Sequence, residues 1–154
     1  MAIYFTDSST LVKRYVRETG SAWVIGLFTP FPHDDVHVVA ITAVEIVAAL
    51  MRRSRSGAVT TAAATAACSL FLSDLPLDYQ VVEVSEALVN QAIALAQRHK
   101  LRGYDAMQLS AGCQINAVRI ATGLSPLIFL SADNDLNAAA RRAGLSVDDP
   151  NAHL

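Results

Sequence analysis

Apolar residues along this chain follow two rhythms. Ile3-Tyr4-Phe5, residues 37–41 and residues 127–130 are short, continuous apolar runs of strand length, the pattern of strands covered on both faces. Between them the apolar positions recur at helical spacing. Leu11, Val12, Tyr15 and Val16 share one side after Asp7-Ser8-Ser9, and Leu88, Ala92 and Leu95 do so after Ser85. A second helix is predicted over about 21–28, stopping near Pro30 and Pro32. Thr42-Ala43-Val44-Glu45 opens a third that runs to Arg52-Arg53-Ser54-Arg55, where Gly57 breaks it. Residues 60–72 read as an alanine-rich helix closed by Pro76, and residues 80–84 alternate as a strand. Helices follow over 85–99 and over about 104–118, the latter behind Gly103. The last helix covers 136–143 with Gly144 as its cap, and 145–147 form a terminal strand.

Strands that alternate with helices, and are apolar throughout, describe a parallel sheet with helices on both faces. The fold class is therefore α/β, a three-layer α/β/α sandwich, in a single domain over 1–154. Composition agrees: 53% of the 154 residues are apolar and 17% charged, ample for a packed core. Met1-Ala2-Ile3-Tyr4 carries no basic stretch and Asp7 interrupts the apolar run, so no secretory leader is expected. The uncharged stretch over 57–73 is shorter than the ~20 apolar residues a membrane span needs. Cys68 and Cys113 stand apart, which disfavours a disulfide framework or zinc site and points to a reducing cytoplasm. A net charge of −2 is not that of a protein gripping nucleic acid over its whole surface, so any such contact would rest on local basic patches.

The chemistry lies in carboxylates. Asp7 follows the first strand, Glu45 sits one turn into the helix after the second, and Asp133 and Asp135 follow residues 127–130. In open α/β sheets, ligands bind outside the carboxyl ends of the strands, and these segments all open on that edge. Asp105 reaches the same crevice only if its helix docks there. Gathered carboxylates repel one another unless a cation sits among them. Mg²⁺ and Mn²⁺ prefer hard oxygen ligands and take few carboxylates each. Each acid also has a plainer role available: Asp7, Asp105 and Asp133 as helix-start carboxylates, and Glu45 returning to Thr42 in a capping box.

Four segments also carry a family resemblance. Asp7-Ser8-Ser9-Thr10-Leu11-Val12-Lys13, Thr42-Ala43-Val44-Glu45-Ile46, Leu101-Arg102-Gly103-Tyr104-Asp105-Ala106-Met107-Gln108-Leu109 and Ser131-Ala132-Asp133-Asn134-Asp135-Leu136 resemble, in order, the four acidic motifs of PIN-domain ribonucleases, especially VapC-type toxins. The resemblance spans nearly the whole chain. It implies a PIN-like fold, Mg²⁺- or Mn²⁺-dependent endoribonuclease activity, homodimerisation, and neutralisation by a cognate antitoxin. By that resemblance Asp7 and Asp105 are the principal metal ligands, and Glu45 and Asp133 complete the site, with Asp135 as helper. Ser9 or Thr10 orients Asp7 or a phosphate. The attacking group is an activated water, leaving a 5′-phosphate and a 3′-hydroxyl.

The remaining residues modify this picture only slightly. Lys13, Arg14 and Arg17, then Arg52, Arg53 and Arg55, then Arg98, Lys100 and Arg102 form local basic groups. They serve either as solvated helix ends or as RNA contacts, with Lys13 and Arg102 nearest the acids. Residues 60–72 are small on all sides and suit close packing of another helix, within the fold or from a dimer or antitoxin partner. His33, His37, His99 and His153 lie away from the acidic motifs in sequence, which disfavours a histidine-pair ribonuclease. A phosphoacceptor response domain wants a lysine after a late strand, and none follows Lys100. A haloacid-dehalogenase-type phosphatase wants an aspartate where Ser9 stands. The readings left beside a toxin are an RNA-processing nuclease without an antitoxin and a binding module whose acids only cap helices.

Overall fold

The computed structural model describes residues 2–29 and 32–154. Met1 and Pro30, the latter expected to help stop the second helix, lie outside them. The chain runs β1 (Ile3–Thr6), α1 (Ser8–Tyr15), α2 (Ser21–Gly26), β2 (Asp35–Val39), α3 (Thr42–Arg55), α4 (Thr61–Asp78) and β3 (Gln80–Val82). It continues through α5 (Glu86–His99), α6 (Gly103–Ala121), β4 (Ile128–Leu130), α7 (Asn134–Arg142) and β5 (Ser146–Asp148), then a 3₁₀ turn at Pro150–Ala152 that the hydrophobic pattern does not announce. The strand order is β3-β2-β1-β4-β5, with every pairing parallel. The chain builds outward from β1 in one direction, then crosses over to build in the other. The switch point therefore lies between the carboxyl ends of β1 and β4, where such sheets bind ligands.

Alternation along each strand supplies both faces. Phe5, Leu127 and Phe129 turn to one side and pack with Leu88, Leu109 and Leu136 from α5, α6 and α7. Val36 and Val38 turn to the other and meet Leu11, Ile46 and Phe71 from α1, α3 and α4. The three-layer α/β/α arrangement is thus present. Phe5 and Phe129 stack across neighbouring strands with centroids 5.4 Å apart. Behind Phe129, α6 approaches closely: a Cβ at Gly112 would stand 2.8 Å from the Phe129 ring. The missing side chain is what lets α6 lie against the sheet and carry Asp105 to its edge.

Boundaries moved where pairing, capping or tertiary ties outweigh local pattern. β2 starts at Asp35 because Ile3 and Phe5 pair with Asp35 and His37, and it ends at Val39, before the apolar run does. Its partner β3 stops at Val82, opposite Val39. Pro76 does not close α4; it lies inside the helix. It removes one N–H, whose partner would be the carbonyl of exposed Leu72, a group solvent can satisfy. The final turn is held from outside. Arg14 pairs with Asp78 at 2.5 Å and Asp74 at 3.3 Å, donates to the Tyr79 hydroxyl at 2.7 Å, and lies 3.9 Å from the Phe28 ring centroid.

Candidate active site at the β1–β4 edge

Asp7 leaves β1 and caps α1. Its Oδ1 accepts from the Thr10 backbone N–H at 3.1 Å, so the helix-start role holds, but it is not the whole role. Its own N–H donates to Leu130 O at 3.1 Å, which fixes the carboxylate at the switch point. Ser9 Oγ donates to the carboxylate at 2.8 and 2.9 Å, and Ser131 Oγ donates to Oδ2 at 3.1 Å. Asp7 is 3% exposed. Burial pushes its pKa up to about 7; the Ser9, Thr10 and Ser131 hydrogen bonds pull it down, and Asp105 raises it further. Of the two expected orienting residues, Ser9 acts through its hydroxyl and Thr10 through its backbone. The Thr10 hydroxyl is buried without a partner among the described residues.

Ser131 and Ser9 lace the two strand ends together. Ser131 Oγ accepts from Asp133 N at 3.0 Å, and Ser9 Oγ accepts from Ala132 N at 2.9 Å. Asp133 caps α7, accepting from Leu136 N at 2.9 Å, and this cap starts the helix earlier than the apolar spacing suggests. Asp135 follows in the exposed first turn of α7.

Glu45 does not form the capping box. Ile41 is the N-cap of α3 and makes no side-chain cap bond. The glutamate instead accepts from Gln108 Nε2 at 2.6 Å on Oε1 and from Ser8 Oγ at 3.1 Å on Oε2. Thr42, the other half of the expected box, turns its hydroxyl to Gln108. Glu45's pKa is raised, chiefly by burial and also by Asp105, against the lowering pull of Gln108, Ser8 and Arg52. Asp105, in the first turn of α6, is raised by burial and by Asp133 and Asp135, while Arg102 lowers it. Asp105 thus feels, or is felt by, each of the other acids, and its helix does dock at this edge. The residues not singled out from sequence are Ser8, Gln108 and Ser131. Gln108 stands three positions after Asp105 on one helix face, a spacing that was legible.

No three His, Cys, Asp or Glu side chains among the described residues are grouped so as to hold one ion between them. The basic residues divide. Arg102 is exposed at the N-cap of α6. Lys13 is 6% exposed, with its ammonium 3.5 Å from Glu18. Arg53 also holds Glu18, at 2.6 Å, and Arg14 is committed to α4. His37 sits mid-strand in β2. His153 stacks on Trp23 with centroids 4.1 Å apart and lies 2.8 Å from Asp148. Two apolar grooves open on the helical layers: one of about 490 Å³ between α5 and α6, bordered by Ile93, Tyr104 and Met107, and one of about 420 Å³ between α3 and α4, bordered by Val44, Val47 and Leu72.

No family model matches the chain, and no curated protein does. Solved structures match over almost its whole length. VapC20 of Mycobacterium tuberculosis, a Sarcin-Ricin loop cleaving toxin, has 22% identity and a TM-score of 0.61, covering 88% of this chain and 94% of its own. FitAcB from Neisseria gonorrhoeae has 15% identity and a TM-score of 0.64, covering 98% and 99%. VapBC2 from Rickettsia felis, bound to a DNA fragment from its promoter, has 10% identity and a TM-score of 0.63, covering 96% and 98%. The chain has the PIN-like fold of these VapC-type and related toxin–antitoxin proteins. No described helix is long and apolar enough to cross a membrane.

Proposed function

We infer that the chain is a divalent-metal-dependent endoribonuclease serving as the toxin of a toxin–antitoxin pair. One observation supports this reading: Asp105 raises the pKa of Asp7 and of Glu45 and is itself raised by Asp133 and Asp135, so acids from four separate segments lie within electrostatic reach of it, and the most buried of them, Asp7, is pushed up to about 7. Structural capping alone needs no such convergence. Buried carboxylates that raise one another are stabilised by a cation, and hard oxygens with no sulfur or imidazole among them suit Mg²⁺ or Mn²⁺. Asp7, Glu45, Asp105 and Asp133 would hold the ion, assisted by Asp135. Since no group of three stands ready among the described residues, the ion would take one or two carboxylates directly and keep water in its other positions, as Mg²⁺ commonly does. When bound, it supplies the charge that activates water and steadies the phosphodiester oxygens.

The chain's own residues do the rest. Ser9 and Ser131 hold the Asp7 carboxylate in one orientation, and Asp7 must give up its proton before it can serve as a ligand. Arg102, exposed and close enough to Asp105 to lower its pKa, would meet a phosphate flanking the cut. Lys13 would have to leave Glu18 to do the same. The two apolar grooves support binding of protein partners, in this reading a second copy of the chain and an antitoxin. The neighbours named as toxin–antitoxin assemblies support the same reading by fold.

The test is cleavage of RNA by the purified chain with Mg²⁺, with Mn²⁺ and with EDTA. Cleavage should need the metal and leave a 5′-phosphate, and Asp7→Asn or Asp105→Asn should abolish it. Cleavage undiminished in EDTA overturns the reading.

A further inference from the structure

Among the largest fully buried side chains described, all are Phe, Leu or Ile except Gln108, which is 1% exposed. A buried amide is tolerated only when its polar atoms are paired, so its partners say why it is there. Nε2 donates to Glu45 Oε1 at 2.6 Å and to Thr42 Oγ1 at 3.0 Å, and Oε1 lies 3.3 Å from the same Thr42 hydroxyl. The orientation of the amide follows from chemistry: an ionised carboxylate only accepts, so the nitrogen must face Glu45. Thr42 is itself fully buried and sits one turn before Glu45 on α3. Ser8 from α1 holds the other carboxylate oxygen. Glu45 is thus gripped from two further helices, with lone pairs left on each oxygen for a cation or its water.

We propose that Gln108, braced by Thr42, is a positioning residue that sets the Glu45 carboxylate for the divalent ion. It touches neither ion nor RNA and acts through Glu45. Because α6 carries both Asp105 and Gln108, one rigid helix delivers one ligand and aligns another. The inference rests on the metal-dependent reading above.

The experiment measures Mn²⁺ affinity, by the paramagnetic resonance of free Mn²⁺, for wild type, Gln108→Met, Glu45→Gln and the double variant. Methionine keeps the volume and removes the polar atoms. Gln108→Met should weaken Mn²⁺ binding ~10–100-fold, the usual effect of losing a group that orients a ligand. The double variant should bind no more weakly than Glu45→Gln alone, because the amide has nothing left to align. Losses that add in the double variant, or wild-type affinity in Gln108→Met, overturn the inference while leaving the metal reading standing. A wild type that binds no Mn²⁺ overturns both. Should Gln108→Met fail to fold, Thr42→Val decides: several-fold weaker binding supports the brace, and unchanged binding overturns it.

Discussion

Asp7 has its pKa pushed up to about 7 first by burial, then by Asp105, against the hydrogen bonds of Ser9, Thr10 and Ser131. The folded chain therefore keeps a proton there at pH values where the unfolded chain has released it, near 4. Protonated Asp7 favours folding below that value, and the contribution is lost as pH rises through about 7. In EDTA, the stability of wild type relative to Asp7→Asn should fall by roughly 2–3 kcal/mol between pH 5 and pH 8, somewhat less than the whole effect because the loss begins near pH 4. Asparagine caps a helix about as well as aspartate, so the variant is a fair reference. Urea unfolding at both pH values checks this, and a difference that grows with pH instead would refute it. Millimolar Mg²⁺ should reverse the trend in wild type, stabilising it more at pH 8 than at pH 6, since ligation needs the carboxylate. Thermal unfolding with and without Mg²⁺ reads this directly, and Asp105→Asn should show little of the effect.

At the scale of elements, two placements carry the site and each can be broken. The approach of α6 depends on Gly112, where a Cβ would stand 2.8 Å from a fully buried ring. Gly112→Val should cost about 2–3 kcal/mol by overpacking, despite the better helix propensity of a non-glycine residue. Chemical denaturation gives the value, and an unchanged midpoint would show that α6 has room to spare. The end of α4 depends on Arg14. Its removal takes the shared guanidinium from Asp74, Asp78 and the Tyr79 hydroxyl, so Arg14→Ala should destabilise by about 3 kcal/mol. Hydrogen exchange should speed first in the turn after Pro76, which α4 cannot hold alone. Helix starts marked by Asp7, Thr60 and Ser85 were legible because a side-chain oxygen there meets an orphan N–H three residues on. Pro76 misled because its local cost is offset from α1, a helix distant in sequence.

On the scale of the whole molecule, the acidic edge lies at the ends of the sheet and the apolar grooves lie on its helical layers. Expression of the wild-type chain alone should arrest bacterial growth, and the Asp105→Asn chain should be tolerated. Equal growth of the two strains would argue against a toxin. Light scattering on the purified protein should give about twice the 16.4 kDa chain mass. A monomer at high concentration would leave the grooves to other partners.

The sequence by itself determined the layered α/β class, the strands that form the sheet, and the acids Asp7, Glu45, Asp133 and Asp135 as candidates at one sheet edge, with Asp105 added to them by the family resemblance alone. Continuous apolar runs of strand length and helical spacing are local signals, and the carboxylates lie beside the strand ends that those signals reveal. Tertiary structure alone decided that Asp105 lies within electrostatic reach of the other acids, because that depends on how α6 packs against the sheet. It also turned Thr42 and Glu45 from a cap into a pair held by Gln108, and turned Lys13 towards Glu18. A hydrogen-bond partner 63 residues away leaves no mark on local pattern. Which of its possible partners a polar side chain takes is settled only when the helices pack.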